Sequence, residues 1–280
     1  MKRILVPCDF SPPAVEAFKF AEALAKKAHG QIHVLYAVSS ALIKNAAAGL
    51  SGHTSFPEVM MQRLEAEMNE KFTFLKEEFS EPERPIKFRI ELGTLIAAIE
   101  SVCFEETIDL VVMGTQGASG LKEMLIGSNT EKVVRHSRIP VVAVPLGARL
   151  DNFCNIVFPV DPTQRNLESV KELKTLQNFF HAKIHLLWIN TPHIFKSDTE
   201  ALEDLQEFVN EHHFSNFELH TASEHTEHEG IQKFVRKINA DLLFMPTHGR
   251  KGIVHWLTGS ITEKVVNHVQ CPVWTISMKN

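Results

Sequence analysis

The chain is written twice, and this repetition limits its fold more than any other feature of its 280 residues. "RILVPCDF" (3–10) resembles "NIVFPVDP" (155–162), and "QIHVLYAV" (31–38) resembles "KIHLLWIN" (183–190), both at an offset of 152. Later the offset becomes 132: "IDLVVMGTQG" (108–117) meets "ADLLFMPTHG" (240–249), and "IGSNTEKVVRHSRIPVVAV" (126–144) meets "TGSITEKVVNHVQCPVWTI" (258–276). Ungapped matches in the same order in both halves indicate a duplication. The change of offset places a 20-residue insertion in the first half, between residues 38 and 108. The polar stretch "LGARLDN" (146–152) marks the boundary, giving domains over 1–147 and 152–280.

Each half alternates strand-like and helix-like patterns. In the first, apolar runs at 3–8, 31–38, 86–91, 108–113 and 140–145 predict strands, and helical periodicity fills 13–28, 57–80, 94–105 and 128–137. "LVVM" and "VVAV" are apolar at consecutive positions, as strands covered on both faces must be. The expected fold class is therefore α/β, with two tandem, doubly wound, parallel five-stranded sheets of the Rossmann-like or flavodoxin-like kind. In such sheets a ligand lies beyond the carboxyl ends of the strands, where the strand order reverses.

A net charge of −5 supplies no basic field for nucleic acid or anionic lipid, and no apolar run reaches membrane-spanning length. "MKRILVPCDF" reads as a strand and not as a signal peptide. Cys8, Cys103, Cys154 and Cys271 are scattered through apolar segments without a C-x-x-C pair, as buried free thiols in a reducing cytoplasm would be.

The stretch "GTQGASGLKEMLIGSNTEKVV" (114–134) follows the fourth strand. Glycine there admits positive φ and lets a ligand approach amide N–H groups without a Cβ in the way. Ser128 is a natural N-cap, and Glu131 completes a capping box. The first turn of that helix is a ready anion site. Either feature alone is routine structural punctuation. The stretch is not a Walker A loop, since Leu121 and Lys122 follow Gly120, and the dinucleotide fingerprint would belong after the first strand, where "PCDFSPP" stands.

The spacing G-x-x-G-x9-G-[ST], carried by Gly114, Gly117, Gly127 and Ser128, resembles that of nucleotide-binding universal stress protein domains, the UspA family. So do the first strand ending in Pro-x-Asp and the flanking "IDLVVMG" and "TEKVVRHSRIPVVAVP". The resemblance covers both halves and implies a tandem universal stress protein with an adenine nucleotide alpha hydrolase-like fold. It also implies that the two halves pair with each other as separate Usp domains do through their last strands, with a homodimer and an unidentified protein partner left open. It implies an adenine nucleotide, ATP foremost, with or without Mg2+. By matching position the nucleotide-binding residues are Pro7, Cys8 and Asp9, then Ala37 at the adenine, Met113, Gly114, Gln116 and Gly117 in the loop, and Gly127, Ser128, Asn129 and Thr130 at the helix start. For Asp9 the alternative is a cap for the helix beginning near "SPPAVEAF".

The second half departs from the pattern in "PTHGRKGIVHWLTGS". Pro246 stands where Gly114 does and removes an N–H donor. Asp161, Ile189, His248, Gly249, Gly259, Ser260 and Thr262 mark an altered second site, with Arg250 and Lys251 as loop-tip cations.

Residues 39–56, rich in Ala and Gly, read as a surface loop or a lid; Met60, Met61 and Met68 on the next helix read as packing or as a partner face. His212, His213, His220, His225 and His228 cluster in the second half, but no zinc-finger or H-E-x-x-H spacing accompanies them, so no metal site is assigned. Neither a catalytic loop nor a carboxylate pair stands out for phosphoryl transfer. The expected function is nucleotide binding in stress response and signalling. The alternatives are a slow ATPase or autophosphorylating protein using the same site, and an interaction protein that binds no nucleotide.

Overall fold

The computed structural model describes residues 1–39, 56–115, 128–148, 153–162, 167–248, 265–266 and 268–278. The first half runs β1 (Arg3–Pro7), α1 (Pro12–Ala28), β2 (Gln31–Val38), α2 (Phe56–Phe79), β3 (Ile86–Leu92), α3 (Leu95–Glu105), β4 (Leu110–Gly114), α4 (Ser128–His136) and β5 (Val141–Val144). The second half runs β6 (Asn155–Pro159), α5 (Leu167–Phe180), β7 (Lys183–Asn190), α6 (Asp198–Glu211), β8 (Phe217–Ser223), α7 (Glu227–Lys237), β9 (Leu242–His248) and β10 (Val273–Met278). No helix among the described residues is long and apolar enough to cross a membrane.

The strands form one ten-stranded sheet in the order β3-β2-β1-β4-β5-β10-β9-β6-β7-β8. Every pairing is parallel except β5 with β10, where Val141, Val142 and Ala143 face Thr275, Trp274 and Val273 in antiparallel register. The two expected sheets are thus continuous, joined edge to edge by the last strand of each half. Thr275 adds a hydroxyl bond across the seam to the Val141 carbonyl, at 3.0 Å.

Consecutive apolar residues in the strands serve opposite faces. Ile4, Val6, Leu110 and Val112 pack under α1 with Ala17, Phe18 and Ala21. Leu5, Val111 and Met113 pack with Ile99 and Val102 of α3 and Val133 of α4. Pro12 and Pro13 open α1, where a missing N–H has no helical partner to lose, and Lys26 and Lys27 sit at its negative end. His29, in the left-handed region at φ 49°, stops it.

One acidic residue anchors each half at the amino edge of the sheet. Asp109 Oδ2 accepts the backbone N–H groups of Lys2 and Arg3 at 2.6 and 2.9 Å. Asp241, its repeat partner, accepts those of Cys154 and Asn155, both at 2.9 Å. The insertion is partly helical: α2 has 24 residues where its counterpart α6 has 14.

Candidate functional site

Strand order reverses between β1 and β4, because β1 has β2 on one side and β4 on the other. The chain leaves β1 for α1 on one face, and α4 follows β4 on the other. A crevice beyond the carboxyl ends of these two strands is the expected ligand position in such a sheet.

At the carboxyl ends of β1, β2 and β4 and in the first turn of α4 stand Pro7, Cys8, Asp9, Ala37, Met113, Gly114, Asn129 and Thr130. Pro7 and Cys8 are buried, and the Cys8 N–H donates to Leu35 O of β2 at 2.8 Å. Burial pushes the Cys8 thiol up to about 12, so it remains a protonated packing group. Asp9 is exposed. Its Oδ1 accepts both the N–H and the hydroxyl of Ser11, at 3.0 and 2.5 Å, in a turn that launches α1. Asp9 thus braces the turn before α1 while remaining exposed, whereas the N-cap position belongs to Ser11, so the alternative reading of Asp9 as the helix cap is not borne out.

Gly114 ends β4 directly beneath the start of α1. A Cβ there would stand 2.4 Å from the Pro13 carbonyl oxygen and 2.6 Å from its carbonyl carbon. Both are backbone atoms that cannot swing aside, so this glycine is required by helix–strand approach whatever else it does. Thr130, buried in the first turn of α4, donates its hydroxyl to Gly114 O at 2.7 Å. That bond fixes the start of α4 against the end of β4, while Asn129 beside it is exposed. Thr130, which the resemblance places among the nucleotide-binding residues, thus has a positioning partner already.

Ala37 lies near the end of β2 and is half-buried. Beside it stands a feature that sequence reading missed. Phe10, at φ 60° immediately after Asp9, stacks on Tyr36 with ring centroids 6.1 Å apart. Phe88 of β3 meets Phe10 edge-on, also at 6.1 Å. The only sequence signal was a pair of aromatics next to two assigned positions.

Gln116, Gly117 and Gly127 lie outside the described residues, as do the Ser128 side chain and its capping box with Glu131. The proposed lid over residues 39–56 likewise lies outside, apart from Ser39 and the helix residue Phe56.

In the second half, Asp161 follows β6 and is half-buried, as a counterpart of Asp9. Ile189 is fully buried where Ala37 is half-exposed. Its side chain fills the space over Gly230 of α7, where a Cβ would meet Ile189 Cδ1 and Cγ2 at 2.8 Å. Pro246 is buried within β9, opposite Ile276 of β10. His248 ends β9, but its side chain, Gly249, Gly259, Ser260 and Thr262 lie outside the described residues. Ile189 thus belongs to the packed core at the position where Ala37 is half-buried.

Of the clustered histidines, His225 is exposed before α7 and His228 is half-buried in its first turn. His220 instead points across β8 toward His185 of β7.

Comparison with known proteins agrees with this architecture. The universal stress protein family model matches residues 1–145 and again 152–277. Universal stress protein Slr1230 of Synechocystis is 24% identical over 98% of this chain and 99% of its own length. Universal stress protein MJ0577 of Methanocaldococcus jannaschii is 30% identical over 51% of this chain and 94% of its own length. Among solved structures, a universal stress protein from Archaeoglobus fulgidus superposes with a TM-score of 0.69 at 19% identity, covering 98% of both chains. With both halves matched in turn, the chain belongs to the universal stress protein family and carries two of its domains in tandem.

Proposed function

We propose that the first half binds an adenine nucleotide, ATP foremost, in the crevice beyond β1 and β4, and that this binding serves stress signalling. The observation that carries the reading is the meeting of exposed Asp9, half-buried Ala37 and the half-buried Gly114 end of β4 at the point of strand-order reversal. Adenine would lie along the ends of β1 and β2. Ribose would meet Asp9, and the phosphates would lie between the glycine loop and the positive end of α4. Thr130 acts here as the brace that holds α4 in place. The second half has Ile189 packed across the corresponding base position and a proline where Gly114 stands, so it contributes the sheet partner in place of a second equivalent site.

The reading is one of binding and not of turnover. Cys8 is buried and stays protonated, so it is no ready nucleophile at neutral pH, and Asp9 Oδ1 already accepts from Ser11.

The test is mass spectrometry of small molecules that co-purify with the full chain, followed by calorimetric titration with ATP. Saturable binding by the wild type, lost in Gly117→Asp, is expected, because that change sets a carboxylate against the phosphates. A wild type that neither co-purifies with nor takes up any adenine nucleotide would sink the reading. Release of phosphate, or transfer of labelled phosphate to the chain, would establish the enzymatic alternative in its place.

A further inference from the structure

The far edge of the sheet carries a second cluster of chemistry. In the parallel register of β7 and β8, His185 lies opposite Glu218 and Leu187 opposite His220. Alternation along the strands therefore puts His185, Glu218 and His220 on one face. His185 Nδ1 stands 3.0 Å from His220 Nε2 and 3.5 Å from Glu218 Oε2, and His220 Nε2 stands 3.7 Å from the same oxygen. A tetrahedral ion with bonds of about 2.0–2.1 Å needs ligand atoms roughly 3.3–3.4 Å apart. The three separations bracket that value.

The surrounding bonds set the lone pairs. Asn155 Nδ2 donates to the Asp241 carboxylate at 3.4 Å, and a carboxylate can only accept. Asn155 Oδ1 is therefore the atom 3.1 Å from His185 Nε2, so that nitrogen carries the proton and Nδ1 presents its lone pair to the cluster. This is the outer support that a metal-bound imidazole receives. Lys183 Nζ holds the other oxygen of Glu218, Oε1, at 2.6 Å and leaves Oε2 turned toward the imidazoles. His185 is buried, His220 half-buried and Glu218 exposed, so one side of the cluster is open to water. Burial also keeps both imidazoles below their ordinary value and hence neutral at pH 7.

The duplication separates fold from function here. His33 occupies the position of His185 in the first half, so a histidine at this point of the second strand is common to both copies. Opposite it, however, stands Lys87, and opposite Leu35 stands Arg89. Two cations in the first half are replaced by a carboxylate and an imidazole in the second.

We propose that His185 Nδ1, Glu218 Oε2 and His220 Nε2 bind one borderline divalent transition-metal ion, of which Zn2+ is the representative, with water completing the shell. The ion clips the edge strand β8 to β7, and Asn155 orients His185 for it. The competing arrangement is a hydrogen-bonded pair of neutral histidines, with His220 Nε2–H donating to His185 Nδ1.

The test uses the full chain, stripped with a chelator and titrated with ZnCl2, and with CoCl2 for its visible spectrum. Expected are a single saturable ion per chain, a rise in Tm on adding zinc, and the intense visible bands of four-coordinate cobalt. Glu218→Gln and His220→Gln should each weaken binding at least roughly tenfold. His33→Gln and the double variant His225→Gln/His228→Gln should leave it unchanged. Glu218 is exposed, so its variant keeps the test valid if the His220 variant fails to fold. Absence of saturable binding in the wild type would overturn the proposal, as would binding that survives both ligand variants or depends on His225 and His228.

Discussion

The α-carbon of Gly114 and the carbonyl of Pro13 approach so closely that a Cβ on residue 114 would stand 2.4 Å from the Pro13 oxygen. The glycine that resembles a nucleotide motif therefore also lets α1 settle on the end of β4. Gly114→Ala should cost about 1–3 kcal/mol, the usual range for forced overpacking. Urea unfolding of the variant beside wild type measures this. An unchanged midpoint would mean that α1 slides without penalty.

The paired anchors Asp109 and Asp241 should behave alike. Each collects two backbone N–H groups at the start of a first strand. Alanine at either position should destabilise by about 1–2 kcal/mol, through loss of charge-assisted bonds. The two losses should sum in the double variant, because the anchors share no partner. Denaturant midpoints of the four proteins provide the check.

Histidine protonation gives stability a pH dependence of definite sign. His33, His185 and His220 are each held below the ordinary value of 6.5, first by burial. Lys87 and Arg3 add to the effect at His33 while Glu106 opposes it; Lys183 adds to it at His185 while Glu218 opposes it. At His220, His185, Lys237 and Lys183 add and Glu218 opposes. The unfolded chain takes up these protons at higher pH than the folded one. Their contribution is complete above about pH 6.5 and is lost as pH falls through that value toward the lower folded values. The urea midpoint of the chelator-stripped chain should therefore fall between about pH 7 and about pH 5, and the fall should be shallower in His33→Gln. A midpoint that rose on acidification would contradict the assignment.

Thiol reactivity should distinguish the four cysteines. Burial raises the Cys8 and Cys271 thiols to about 12, and Cys103 likewise, whereas Cys154 is exposed. Iodoacetamide at about pH 8 should label Cys154 in the native protein and reach Cys8 and Cys271 only after unfolding. Peptide mass mapping over time reads the order. Early labelling of Cys8 would show that the end of β1 opens.

The elements of this fold were legible because they are written locally. Runs such as "LVVM" need only their own periodicity to announce a strand buried on both faces, and Pro12, Pro13 and His29 punctuate α1 from within. The offset of 152 joins His33 to His185, and the offset of 132 joins Asp109 to Asp241, in the sequence alone. Both pairs were visible as repeats, yet the work each residue does was not.

What the sequence by itself determined was the duplication, the α/β alternation and the positions of the strand ends that carry the candidate nucleotide site. Tertiary structure alone decided that β5 meets β10 antiparallel in one continuous sheet, and that Gly114 lies against Pro13, 101 positions earlier in the chain. It also decided that His185 faces Glu218 and His220, while the i, i+3 pair His225 and His228 forms no such cluster among the described residues. The physical reason is that periodicity records which face of its own element a residue occupies. Which residue of another strand stands opposite depends on register, and register is set by the packing of the whole sheet.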